Sequence, residues 1–244
     1  MTTSTVVCTE SGPVRGMIVD DVRTFVGIPY AKPPVGELRF RPPQRADTWQ
    51  GVRSAEQVGS RCPQIQNGSV VGSEDCLTLN IWTAVGPMEE RLPVMVWLTG
   101  GGNHGSSGGA YDGSLMARRA NVVFVTYNPR LGALGFMAHP ALDRERSEGV
   151  SGNYGTLDQI AMLRWLQRNI QEFGGDPDQV FLFGTSAGGA NICALLTSPR
   201  ARGLFHGASM QSSVPTGCEL PTLSDVQQRT GTRIATTTGC ADAA

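Results

Sequence analysis

Residues 180–190 read Val180-Phe-Leu-Phe-Gly184-Thr-Ser186-Ala-Gly188-Gly-Ala190. The apolar run Val180–Phe183 is short, continuous and bounded by glycine, the pattern of a strand buried on both faces. From Ala187 to about Thr197 the chain reads as a helix, stopped by Pro199. A serine lifted onto such a strand-to-helix turn has a strained backbone, and Gly184 and Gly188 remove the side chains that would collide across it. The helix start aims the Ala187 N–H, with the favourable end of the helix dipole, at charge developing beside the serine. Ser186 is therefore the candidate nucleophile. The G-x-S-x-G spacing alone is weak, because a chain with 31 glycines produces it by chance, and it occurs twice here. The second copy, Gly105–Gly109 around Ser107, has no strand before it and reads as a flexible loop.

Outward from this segment, the runs Leu79–Thr83, Val94–Leu98 and Val122–Tyr127 are also short, β-branched and nearly continuous. Runs of this kind fit strands covered on both faces, as in a parallel sheet under helices. Thr156–Phe173 carries Leu157, Ile160, Ala161, Leu163, Trp165, Leu166 and Ile170 at helical spacing, closed by Gly174-Gly175. The alternation predicts an α/β sheet. Thr99-Gly100-Gly101-Gly102-Asn103 follows the strand Val94–Leu98 directly. Side-chain-free residues there let N–H groups face a pocket, which supplies further oxyanion donors. A phosphate loop is disfavoured, since no G-x-x-x-x-G-K-[ST] is present. Nearer the N-terminus, Val14–Val19 and Val22–Ile28 flank Asp20-Asp21 as a hairpin. The proline-rich stretch Pro29–Pro43 excludes helix and reads as an ordered surface excursion.

The composition bounds the function. Lys plus Arg number 20 against 21 Asp plus Glu, so the 244-residue chain has a formal net charge of −1 and no bias toward nucleic acid. No apolar run is long enough to span a bilayer. The six cysteines (8, 62, 76, 193, 218, 240) show no zinc spacing, and only His104, His139 and His206 are available for acid–base work. No metal or cofactor is expected. Met1–Glu10 lacks a basic stretch followed by an apolar one, which favours the cytoplasm, with a processed secreted protein as the alternative.

Several segments occur together in an order that resembles the type-B carboxylesterases, an α/β-hydrolase family that includes the cholinesterases. They are Gly27–Pro34, Ser73–Asn80, Val94–Gly102, Arg130–Phe136, Gly152–Gly155, Asp158–Ala161, Phe173–Pro177 and Gly184–Gly189. The resemblance runs from about Val6 to at least Ser213. It implies a single three-layer α/β-hydrolase domain over residues 1–244, with a mostly parallel central sheet, antiparallel N-terminal strands and an incomplete C-terminal side. It further implies Ser186 as nucleophile, with Gly101, Gly102 and Ala187 as the oxyanion hole. The substrate would be a small-molecule carboxylic ester, hydrolysed through an acyl-enzyme, and oligomeric state is left open. Cys62 and Cys76 fall where the family has a disulfide. The loop between them holds no aromatic residue, unlike the longer cholinesterase loop with its Trp, which disfavours choline esters.

Departures from the family pattern matter. Thr99 stands where many members have His, Thr185 replaces the usual Glu beside the nucleophile, and Pro129 occupies a usually aromatic position. Family members place the triad acid and His beyond the equivalent of Ala244. His206, in Gly203–Gly207, matches a structural His of the family and not the base. His104 is a candidate pocket residue, and His139 reads as a turn residue. Neither Asp225 nor Asp242 ends an apolar strand, so neither is assigned as the triad acid. On this reading the 244 residues are a fragment lacking the acid and base and less stable than a complete relative. A non-catalytic esterase-like interaction protein and an inactive truncated product are the alternatives. Cys218 and Cys240 flank a predicted helix, Leu223–Thr237. They pair with each other, or Cys240 pairs with a cysteine further along.

Overall fold

The computed structural model describes residues 4–86, 90–145, 147–213, 218 and 221–240. Near the N-terminus, β1 (Val6–Thr9), β2 (Gly12–Arg15), β3 (Met17–Val19), β4 (Val22–Pro29) and β5 (Arg53–Ser54) follow in order. β1, β2 and β5 make a small separate sheet. The expected single strand Val14–Val19 is thus divided at Gly16 between two sheets. The division has a steric cause: a methyl group on Gly16 would run into the Thr24 carbonyl and the Phe25 ring, so only glycine passes there. β3 and β4 do form the expected hairpin, with Asp20 and Asp21 both at positive φ (48° and 59°). A second hairpin, β6 (Gln64–Gln66) and β7 (Ser69–Val71), lies within the loop closed by the Cys62–Cys76 disulfide.

The main sheet adds β8 (Thr78–Ala84), β9 (Leu92–Leu98), β10 (Val123–Tyr127), β11 (Gly175–Thr185) and β12 (Gly207–Gln211), in the order β12-β11-β9-β10-β8-β4-β3. Pairings from β12 to β10 are parallel; those from β10 through β8 and β4 to β3 are antiparallel. β8 carries the same continuous apolar run as its parallel neighbours, yet it is antiparallel to both strands beside it. Such a run reports burial on both faces, here with five consecutive buried residues, and not strand direction.

The helices are α1 (Ser114–Ala120), α2 (Gly132–Phe136), α3 (Pro140–Arg144), α4 (Tyr154–Asn169), α5 (Ala187–Thr197), α6 (Leu223–Val226) and α7 (Thr232–Thr237). α4 runs into a 3₁₀ turn, Ile170–Phe173, that Gly174 ends at φ 93°. Its apolar face joins the central core, but Leu157 and Ala161 are only half-buried. The polar Asp158, Gln159 and Asn169 are buried instead. Asp158 takes bonds from Arg130 at Nε (2.8 Å), Nη2 (2.7 Å) and the backbone N–H (3.0 Å). Methyl groups on Gly135 or Gly155 would strike the Arg130 carbonyl, which explains why the glycines of two recognised segments are there. The expected helix Leu223–Thr237 is α6 and α7 joined by a π turn, Gln227–Gly231.

The cysteine pairing differs in part from expectation. Cys62 and Cys76 are bonded, as the resemblance implied. Cys218, however, is bonded to Cys193 on α5, and Cys240 is exposed and free. The sequence paired Cys218 with Cys240 across the Leu223–Thr237 helix, or Cys240 with a cysteine further along, whereas the fold brings Cys218 to α5. Among the described residues, no helix is long and apolar enough to cross a membrane.

Candidate active site

β11 lies between β9 and β12 and ends at Thr185; α5 begins at Ala187. Ser186 joins them at φ 54°, ψ −122°, a conformation that strains any residue but glycine and costs about 1–3 kcal/mol. Its N–H donates to the Gln211 carbonyl (2.9 Å) and its own carbonyl accepts from Ala190 (3.1 Å). The side chain is exposed. Glycine is required on either side of the turn. A methyl group on Gly184 would lie 2.7 Å from the Leu98 carbonyl oxygen, and one on Gly188 would collide with the same carbonyl.

The Leu98 end of β9 brings the glycine loop to the serine. A β-carbon on Gly100 would be 3.4 Å from the Ser186 Cβ, in ordinary contact. Gly101, Gly102 and Asn103 then follow at φ 90°, 62° and 59°, a left-handed turn in which the Gly101 carbonyl accepts from His104 (3.0 Å) and Gly105 (3.2 Å). Among the described residues, the Gly101 and Gly102 N–H groups donate to no protein acceptor. Both glycines are exposed, so the donors are open to a ligand. Ala187 opens α5, where the first-turn N–H groups have no helical partner.

The histidines separate. His104 is exposed beside Gly102, with its Cδ2 3.5 Å from where a Gly102 β-carbon would stand. His206 is fastened midway along β11, away from Ser186: its N–H donates to the Val180 carbonyl (2.8 Å), and its Nδ1 accepts from the Val180 N–H (3.3 Å). His139 caps α3, its Nδ1 accepting from Ala141 (3.2 Å). Asp225 is half-buried, its carboxylate accepting from Thr222 at the start of α6; Asp242 lies outside the described residues. Ser107 departs from the flexible loop expected for it. Its Oγ donates to Asn128 Oδ1 (3.2 Å) and accepts from Gly109 (3.2 Å), fixing a 3₁₀ turn.

The sequence profile of the carboxylesterase family matches residues 3–244. The chain belongs to the carboxylesterase family. It is 49% identical over 211 residues to the fumonisin B1 esterase of Sphingopyxis macrogoltabida, covering 84% of this chain and 39% of that protein. It is 43% identical to the para-nitrobenzyl esterase of Bacillus subtilis (strain 168), covering 86% of this chain and 44% of that one. In structure it is similar to the Geobacillus stearothermophilus carboxylesterase EST55, with a TM-score of 0.87 and 41% identity over 96% of this chain and 48% of that one. The chain therefore has the family's α/β-hydrolase fold and spans less than half the length of these relatives.

Two residues of this site were not found by sequence reasoning. Asn103 and Asn191 exchange side-chain hydrogen bonds, Asn103 Nδ2 to Asn191 Oδ1 (3.1 Å) and Asn191 Nδ2 to Asn103 Oδ1 (2.9 Å). The one local signal was an asparagine ending a glycine run, a residue that tolerates positive φ. Nothing in the sequence named its partner.

Proposed function

We propose that this chain carries the nucleophile and oxyanion donors of a serine-dependent carboxylic ester hydrolase acting on small-molecule esters. Ser186 Oγ attacks the ester carbonyl, and the resulting oxyanion is held by the N–H groups of Gly101, Gly102 and Ala187. Collapse expels the alkoxide, which leaves as the alcohol with the proton given up by Ser186 Oγ; water then hydrolyses the acyl-serine to the acid and returns a proton to Oγ. The acid–base pair is assigned to no described residue: His139 and His206 are tied elsewhere by hydrogen bonds, and among the described residues no hydrogen bond joins His104 to Ser186.

The observation that carries this reading is the strained, exposed Ser186 in contact range of a loop whose Gly101 and Gly102 N–H groups are unspent. A binding module has no use for such strain, which disfavours a non-catalytic role. The Cys62–Cys76 loop presents Ile65 and Val70 to solvent and holds no aromatic, so a choline ester is a poor fit. The test is labelling by a fluorophosphonate, applied to the protein translated from its complete reading frame. The label should attach to Ser186 and disappear in Ser186→Ala. Unlabelled protein, or labelling that survives the substitution, sinks the reading.

A further inference from the structure

We infer that Asn103 and Asn191 are a positioning pair that sets the oxyanion loop against the helix bearing the nucleophile. The inference rests on the reading of Ser186 as nucleophile and Gly101 and Gly102 as oxyanion donors. The two asparagines lie 88 positions apart in the chain, yet each side-chain amide donates to the other's carbonyl, at 3.1 and 2.9 Å. Asn103 continues the left-handed turn directly after Gly102, at φ 59°. Its backbone carbonyl also accepts from Gly132 at the start of α2 (2.7 Å), so both ends of the residue are held. Asn191 is buried on α5, in the second turn after Ser186.

The geometry of the loop explains why such a tie is needed. Three consecutive residues at positive φ, two of them glycines, form a segment with little intrinsic preference for one conformation. The loop's N–H donors are useful only if they stand at the position the oxyanion will occupy. Gly100 packs on the Ser186 side of the loop, but beyond it Gly101 and Gly102 are exposed. The amide pair closes that far end onto the same helix whose first N–H, at Ala187, completes the donor set. Two bonds in opposite directions also resist rotation of either side chain, which a single bond would not. The pair touches no reacting atom and works through the loop it holds.

Asn103→Gly deletes the side chain while keeping the left-handed backbone, and Asn191→Ala does so in a helix that favours alanine. In the protein translated from its complete reading frame, each should slow fluorophosphonate labelling of Ser186 by roughly 10- to 100-fold, the scale of a small misplacement of catalytic groups. Affinity for a trifluoromethyl ketone, which builds an oxyanion on the serine, should fall by the same factor, with the KM of a simple ester little changed. The double variant should be no worse than either single one, because the two act as a unit. A lower melting temperature with unchanged labelling and ketone affinity would make the pair merely structural and overturn the inference. So would losses that multiply in the double variant. If Asn191→Ala fails to fold, Asn191→Ser carries the same expectation. Failure of the unsubstituted protein to label at Ser186 is a separate result, and it removes the nucleophile reading on which the pair depends.

Discussion

Gly188 has no room for a side chain. A methyl group there would press on the Leu98 carbonyl carbon at 2.8 Å and on the Thr99 oxygen at 3.0 Å, both rigid backbone. Gly188→Ala should therefore cost about 1–3 kcal/mol, the usual toll of overpacking, and displace the loop that faces Ser186. A urea titration reads the first effect and the labelling rate of Ser186 the second. Gly203, at φ 74° with nothing within 4 Å of a β-carbon, meets no steric contact, so Gly203→Ala should cost only the backbone strain of about 1–2 kcal/mol and leave labelling unchanged. At this scale Ser186, Gly184 and Gly188 were legible because their constraint is local: a turn dictates its own neighbours. Asn103 and Asn191 were not, because their constraint is a meeting of two distant segments.

Elements show the same division. α5 begins and ends where Ala187 and Pro199 said it would, since helix starts and stops are written in adjacent residues. The Cys193–Cys218 bond was missed because pairing depends on where the fold carries each segment. The Cys62–Cys76 bond closes a loop of about 15 residues, so Cys62→Ser should lower stability by about 3 kcal/mol in the chain-entropy view, read from the urea midpoint. Another tie joins the β1–β2 turn to α4: Glu10 accepts from Arg168 at 2.7 and 2.8 Å. The Arg168 hydrogen bond holds the Glu10 carboxyl below its ordinary value, against the opposing effect of burial. The stability it contributes is present above the ordinary glutamate range and lost as pH falls through the lowered value. Screened by solvent, that is worth about 0.5 kcal/mol. Glu10→Gln should differ from the parent by this amount near neutral pH, and the difference should vanish in acid melts.

Across the whole molecule, the Arg130–Asp158 pair joins the exit of β10 to α4. The two side chains are 3% and 0% exposed, and Arg130 also donates to the Arg41 carbonyl (2.8 Å). Burial pushes the Asp158 carboxyl up, and its bonds from Arg130 pull it back. Asp158→Asn would leave the guanidinium buried without a counter-charge and should cost about 3–5 kcal/mol in a urea titration. The sequence by itself determined the α/β alternation, the placement of Ser186 on a strand-to-helix turn and the glycine loop after β9. Each of these follows from hydrophobic periodicity or steric demand among near neighbours in the chain. Only the tertiary structure decided the direction of β8, the division at Gly16, the Cys193–Cys218 bond and the Asn103–Asn191 tie. These depend on which distant segments meet. A burial pattern records that a residue is covered, and the packed fold decides by what.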